Sequence, residues 1–527
     1  MSTRTDESPH TGLDTSRSRP RTFEGGLGGK TVGGALWGAA QVCASKGLQM
    51  AGTLVVAYFV TEEEFGSAGV ATSVALFVAV VSPVAVGDFL VQQHPLSRGL
   101  LQRAQFVGVI ASIISGSVLI SLAISAWLLG HSPILAVSLA VVSIRPLADT
   151  LYCIPQAALR QELRFKQIAS IDIVALALGT ATSIAMAVSG LGAASLIAPL
   201  ALASFVRAAA YRNLIDRQCP RESERDRSVG CSLGRGFAVM AAAQYVHMLV
   251  NVVDWPIVWL FRSASDAGVY YFAWNLSIQA NSVISSQFAQ TLQPVLVLLR
   301  SDQPRQTQGF LRSLRALAAV AVPLAVLQAA IAKPVFHLLF GDRWDAAVGG
   351  FVALSVGQAF AFSAGPVLAY LKAEGRIGLL VKLQLAQLLF SVSIISAAVF
   401  LSQGEFTQGS AIFAIASASA LQSVIFCPIS VIVILRGRGT TAGEVLRIFL
   451  LPLIAAVGPG VGARIAADAV DVAGPLVQIV GCLGITVCYF GLYALTLRAV
   501  DRKAASEVMV VVRAAFQRVR LILGSRR

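Results

Sequence analysis

Charge is what this sequence has least of. Only 13% of its 527 residues are Asp, Glu, Lys or Arg, about half the share of a soluble domain, and the mean hydropathy is +0.73. So few charges cannot cover a globule of this length with a solvated surface, which excludes a soluble fold. Cysteine is thin and scattered: five of the seven, Cys43, Cys153, Cys427, Cys482 and Cys488, sit in apolar runs, and Cys219 and Cys231 lie in a polar stretch. No Cys-x-x-Cys pair occurs, so neither a disulfide framework nor a thiolate metal site is indicated. Residues Met1 to Thr31 lack the apolar centre of a signal peptide. Their "GGLGGKT" approaches a phosphate-binding loop, but Glu24 stands where the first Gly of GxxxxGK[ST] belongs, and no strand precedes it.

What the chain has in quantity is uninterrupted apolar sequence. Runs of about 20 residues, the length that crosses ~30 Å of hydrocarbon, recur from Gly33 onward. About fourteen can be drawn, the first Gly33–Phe59 and the last Leu476–Leu497, with Pro133–Gln156 fourth, Gly236–Phe261 seventh and Gly268–Leu298 eighth. The fold class is therefore an all-α polytopic membrane protein with about 14 transmembrane helices.

The net charge of +14 invites a nucleic-acid reading, but the basic residues sort by loop. About 35 of the 41 Lys and Arg fall in even-numbered connections and the two termini, such as "RQELRFK" and "YRNLIDRQCPRESERDR", whereas connections such as "TEEEFG", "GHSP" and "SGLG" hold almost none. The basic side is cytoplasmic by the positive-inside rule, which puts both termini inside a cytoplasmic membrane and leaves no nucleic acid to explain. Lys46 and Arg145 are read as the cations within spans.

The longest inner connection divides the chain. The organisation expected is a disordered cytoplasmic tail over 1–32, a six-helix bundle over 33–210, a linker over 211–235 and a second six-helix bundle over 236–435. Two additional transmembrane helices over 436–498 and a basic amphipathic cytoplasmic tail over 499–527 complete it. All outer loops are short, which argues against a folded outer catalytic domain. Acids there, in "TEEE" and "GDRWD", read as helix caps and solvated turns.

Polar side chains in hydrocarbon are costly and usually face a bundle interior or a wet cavity. Here they fall on single helical faces. Arg145, Asp149, Tyr152 and Gln156 run i, i+4, i+7, i+11; Gln244, His247, Asn251 and Asp254 run i, i+3, i+7, i+10. Asn275, Gln279, Ser282, Ser286 and Gln290 continue the pattern in span eight, and span one adds Gln41, Lys46 and Gln49. The stripes describe a hydrophilic cavity shared by both bundles. Interhelical hydrogen bonds and an Arg145–Asp149 pair within one helix are the plainer alternative.

Several segments resemble one family in chain order. "IPQAALRQELRFKQIA" (154–169) is similar to the inner loop of the polysaccharide-transporter branch of the multidrug/oligosaccharidyl-lipid/polysaccharide exporter superfamily. "VVAYFVTEEEFGSAGVATS" (55–73) resembles its first outer loop, "NVVDWPIVWLFRSASDAGVYYFAWNL" (251–276) its span seven to eight segment, and "LFGDRW" (339–344) its loop after span nine. One departure is Trp255-Pro256 after Asp254, where the family continues with a polar residue; the proline predicts a kink in span seven.

The resemblance implies a flippase, not an enzyme, that exports polyprenyl-pyrophosphate-linked oligosaccharide for cell-surface polysaccharide biosynthesis by alternating access. Its partners would be lipid-linked oligosaccharide, membrane lipids and the polysaccharide-assembly machinery. On this reading Lys46 and Arg145 bind the anionic head, while Gln244, Asn251, Asn275 and Gln279 contact sugar. Asp149 or Asp254 exchanges H+ or Na+, with no other cofactor or metal, and Arg160, Arg164 and Lys166 meet the pyrophosphate at the inner face. A cation-coupled drug antiporter of the same superfamily is the alternative, and would want an acidic, aromatic lining.

Overall fold

The computed structural model describes residues 45–79, 86, 90, 98–130, 132–161, 164–215, 241–404, 406–471, 474–502 and 505–506. The N-terminal tail with its glycine-rich stretch, Gln41, Cys43, most of the central linker and the end of the basic C-terminal tail lie outside the described residues, as do the side chains of Ser282, Ser286 and Gln290.

Among the described residues every regular element is a helix. We number them α1 (45–56), α2 (Glu62–Val78), α3 (Arg98–Leu128), α4 (Pro133–Val142), α5 (Arg145–Gln161), α6 (Phe165–Val188) and α7 (Ala194–Ile215) in the first half. The second half holds α8 (241–252), α9 (Asp254–Phe261), α10 (Ala264–Leu298), α11 (Gln303–Ala330), α12 (Ala332–Phe340), a 3-10 turn (Gly341–Trp344), α13 (Asp345–Ala361), α14 (Ala364–Glu374), α15 (Ile377–Leu401) and α16 (Gln408–Leu435). A last pair, α17 (Ala442–Asp471) and α18 (Pro475–Val500), packs on α11 and α12. Ten of these stretches, some spanning two numbered helices, are long and apolar enough to cross a membrane.

Two of the spans that carry polar stripes are interrupted, each for a visible reason. The fourth span splits at Ser143–Ile144, ahead of Pro146, whose ring nitrogen cannot donate back to the preceding turn. The break presses on α3 at Gly116, where a Cβ would lie 2.9 Å from the Ser143 carbonyl oxygen, so only glycine fits. As a result Arg145 starts a new helix. The seventh span bends at Val253, where Pro256 leaves the Val252 carbonyl without its helical donor; Ser73 of α2 supplies one, its hydroxyl 2.9 Å from that oxygen. The kink expected from Trp255-Pro256 is thus present, and the freed carbonyl joins the two halves of the chain.

Helices α2–α7 pack among themselves and α9–α16 likewise, and the main join between the two sets is α2 against α10. Thr61 caps α2 through its hydroxyl while Glu64 returns a bond to the Thr61 backbone, so part of the "TEEE" run serves the helix start as read from sequence. At the same end Arg343 donates to the carbonyls of Tyr58 and Val60, and the Trp344 indole lies 3.4 Å from the Ala57 carbonyl. The Glu62 carboxylate accepts from Ser265 at 2.6 Å and from Gln408 at 3.2 Å. Phe65, Phe272, Phe340 and Trp344 fill the space beneath in edge-to-face and tilted contacts. The two halves are closed against each other at this end.

Candidate functional site

A cavity of about 280 Å³ lies within the second half of the chain, bounded by α8–α10 and α13–α16. Its polar lining is almost wholly uncharged. Asn251, Asn281, Gln358, Gln384, Gln387 and Gln422 present amides, with serines between them and His247 on one wall. Polar side chains reach the interior because each sits on an otherwise apolar helix whose other faces pack or meet lipid, so the amides are confined to the one wet side. Asn281 donates to the Gln358 side chain at 2.9 Å and accepts from Ser285 at 2.8 Å, which holds that wall in place. Oε1 of Gln384 and Nε2 of Gln422, on side chains 6% exposed, have no hydrogen-bond partner among the described residues. A buried acceptor and a buried donor left open in one cavity are what a hydroxyl-bearing ligand would satisfy.

The only carboxylate among the described residues of this lining is Asp254. It begins α9 directly after the break before Pro256, is 5% exposed, and accepts from the Tyr270 hydroxyl at 2.6 Å and the Trp255 amide at 3.1 Å. Trp255 in turn stacks edge-on against Tyr271 and Trp274.

The first half carries a different chemistry. Arg145 and Asp149 pair at 3.5 Å, and Asp149 accepts from Ser204 at 2.7 Å. One turn on, Arg207 of α7 pairs with Asp172 of α6 at 3.1 Å and lies over the Tyr152 ring, its centre 5.3 Å away. Tyr211 donates to Asp172 at 2.7 Å, Gln156 reaches both, and Arg160 donates to Gln156 at 2.9 Å. The α5 stripe read from the sequence is therefore one face of a three-helix network of three arginines, two aspartates and their hydroxyl and amide partners.

The sequence-chosen residues separate into groups. His247, Asn251 and Asp254 line the cavity; Gln244, Asn275 and Gln279 are not in its lining, and the last two bond each other at 2.8 Å. Arg145 and Asp149 belong to the first-half network, so the described cavity is not shared by the two stripes. Lys46 bonds Gln49 at 3.3 Å within α1. Arg160 ends α5, and Arg164 and Lys166 flank the start of α6. Arg207, counted with the inner-face cations, in fact lies inside α7, and Asp172 was passed over altogether. Each is a lone ionisable residue in an apolar run, "SFVRAAA" and "SIDIVAL", a signal that could have found them. The amides of α13 and α16 were missed because a single glutamine in an apolar helix makes no stripe; Gln384, Gln387 and Ser391 of α15, at i, i+3 and i+7, do form one that the sequence offered.

A second cleft, about 710 Å³, opens between α3, α5 and α7 and is lined mainly by apolar residues, with Gln102, Gln105, Arg212 and Asn213 among them.

Comparison with known proteins gives a consistent assignment. The family model described as "Polysaccharide biosynthesis protein" matches residues 55–349. The chain is 25% identical over 328 residues to the succinoglycan biosynthesis transport protein ExoT of Rhizobium meliloti (strain 1021), covering 61% of this chain and 65% of that one. It is 24% identical over 140 residues to a membrane protein encoded in the cps region of Klebsiella pneumoniae, covering 27% of this chain and 29% of that protein. The chain thus spans less than two thirds of the length of either relative. Among solved structures, lipid II flippase MurJ in an inward closed conformation superposes with a TM-score of 0.59 at 12% identity, covering 90% of this chain and 99% of that one. An inward-facing multidrug-resistance MATE transporter of the MOP superfamily gives 0.53 at 12% identity, covering 76% and 96%. A MOP-superfamily transporter from Pyrococcus furiosus gives 0.53 at 14% identity, covering 77% and 96%. At such identities the likeness establishes the fold.

Proposed function

The chain belongs to the polysaccharide biosynthesis protein family, and from that premise we propose that it moves a polyprenyl-pyrophosphate-linked oligosaccharide from the inner to the outer leaflet by alternating access. The observation that carries this reading is the division of chemistry between the halves: paired arginines in the first, an amide-lined cavity in the second.

A pyrophosphate entering the membrane needs fixed cations, and guanidinium groups bind its oxygens two at a time. Arg145 and Arg207 are held by Asp149 and Asp172, which keep the cations oriented and compensated until a more strongly charged anion arrives. Lys46 would add a third positive charge. Arg160, Arg164 and Lys166 would make the first contact, since a polybasic segment concentrates anionic headgroups near the bilayer surface.

A glycan instead needs many neutral donors and acceptors. Asn251 with Asn281, Gln384 and Gln422 supplies them in the cavity, and Gln244, Asn275 and Gln279 would contact sugar outside it as the halves rearrange. Asp149 is occupied by Arg145 and Ser204, so Asp254 is the better candidate for exchanging H+ or Na+. Drug antiport fits less well, because the described lining is mainly amides and serines with one carboxylate, not the acidic surface a cationic drug would want. The two bundles, 33–210 and 236–435, would rock about the α2–α10 join, with both termini cytoplasmic.

The test is made in cells lacking this protein. Polyprenyl-linked oligosaccharide is extracted and its inner and outer leaflet pools compared, with wild type, Arg145→Ala and Lys46→Ala restored at equal expression. Inner-leaflet accumulation relieved by wild type but by neither variant is the expected result. No accumulation, together with altered drug sensitivity, would replace flipping by antiport.

A further inference from the structure

The corner where α12, the 3-10 turn, the start of α13 and the end of α17 meet holds a cluster that the transport reading does not use. His337 stands between two carboxylates: Nδ1 is 2.8 Å from Oδ1 of Asp471, and Nε2 is 3.1 Å from Oδ1 of Asp345. The Asp471 side chain is 6% exposed, and its second oxygen lies 3.1 Å from the Lys333 ammonium. A carboxylate so held can only accept, so Nδ1 carries the ring proton.

That assignment has a consequence at the other nitrogen. In the neutral ring Nε2 is a lone pair, and it faces Asp345, another acceptor, at hydrogen-bond distance. Two acceptors in that position repel unless a proton or a metal cation lies between them. Asp342 converges on the same point, its oxygen within 4.8 Å of the other two ligand atoms. Neither Asp342 nor Asp345 pairs with Lys or Arg among the described residues. The adjacent Arg343 turns away to the carbonyls of Tyr58 and Val60. Two carboxylates and an imidazole therefore gather with no Lys or Arg among the described residues to compensate them.

We propose that His337 Nε2, Asp342 and Asp345 bind a divalent transition-metal ion of the zinc class. The donor set of one imidazole and two carboxylates suits such ions, with water in the fourth position. Ligand atoms about 2.0–2.2 Å from one ion in tetrahedral geometry stand roughly 3.4 Å apart, close to the His337–Asp345 separation. Asp471 is the independent feature: a ligating histidine donates its other N–H to a carboxylate, which fixes the ring and raises its basicity, and Asp471 is placed to accept from Nδ1. A bound ion would tie α12 to α13 and, through Asp471, to the α17–α18 pair. It would also stiffen the turn whose Arg343 and Trp344 grip the first half.

The experiment uses the full chain purified in detergent and stripped with chelator. Zn2+ alone is titrated calorimetrically, and thermal unfolding is followed with and without it. One ion per chain is expected, with binding weakened at least ~10-fold in Asp342→Asn and in Asp345→Asn, and 10–100-fold in Asp471→Asn, which removes no ligand. Both first variants change exposed side chains, so they report on binding and not on folding. Zn2+ should raise the unfolding temperature of wild type but not of the Asp342→Asn, Asp345→Asn double variant. Equal binding by wild type and the double variant, or no stoichiometric binding, would overturn the site and leave a protonated His337 between its two carboxylates. Neither result depends on whether the chain carries lipid-linked sugar.

Discussion

Gly66 of α2 and Gly268 of α10 meet at the closed end of the molecule with their backbones in contact. A Cβ on Gly66 would overlap the Ala264 carbonyl, and one on Gly268 the Glu62 carbonyl. Helices in a bilayer gain little from burying apolar surface, since lipid is equally apolar, so close backbone approach at small residues is a main source of attraction. This crossing and the Arg343 and Trp344 contacts beside it hold the two halves together on one side.

Gly268→Ala should force α2 and α10 apart, at a cost of about 1–3 kcal/mol typical of overpacking. Export of polysaccharide should fall well below wild type. A cysteine placed at Ser265, half-buried in the closing layer against Glu62, should react faster with a membrane-impermeant thiol reagent in the Gly268→Ala background. Unchanged labelling would mean that this contact does not set the closed state.

The paired arginines should behave differently from their aspartates. Arg207→Gln removes a cation and leaves Asp172 to Tyr211 and Gln156, so binding of polyprenyl pyrophosphate should weaken ~10-fold or more, about 1.4 kcal/mol. Asp172→Asn keeps the guanidinium and should preserve binding while lowering thermal stability. Equal loss in both would assign the pair a structural role only.

In the amide cavity, Gln384→Leu and Gln422→Leu should each weaken the glycan-bearing lipid by roughly 1 kcal/mol, about fivefold, per lost hydrogen bond. Affinity for the same lipid pyrophosphate without sugar should not change. The comparison is a pair of binding curves for each variant, and a matched loss for both ligands would argue against the cavity as the sugar site.

Asp254→Asn should remove the dependence of transport on an imposed Na+ or H+ gradient, and Tyr270→Phe should reduce it less, because the phenol only positions the carboxylate. Flux in proteoliposomes under each gradient checks this. Retained coupling in Asp254→Asn would return the role to Asp149.

Much of the architecture was legible in the chain because it follows from local composition. Apolar runs of spanning length and Lys and Arg sorted to alternate loops dictate a helical membrane protein, and Pro256 alone forecasts the bend before α9. The face shared by Arg145, Asp149, Tyr152 and Gln156 also follows from 3.6-residue periodicity, which needs no knowledge of neighbours.

Which residues meet across helices is a different matter. Arg207 finds Asp172 35 positions away on another helix, Ser73 finds the carbonyl that Pro256 releases, and His337 finds Asp471 across more than a hundred residues. Spacing rules relate side chains within one helix; they say nothing about the crossing angle and rotation that bring two helices together, which close packing of small residues such as Gly66 and Gly268 sets. The sequence by itself determined that the protein spans a membrane and keeps polar groups within it. Only the tertiary structure decided that the arginines gather in one half, that the amides enclose a cavity in the other, and that the chain is closed at the α2–α10 end.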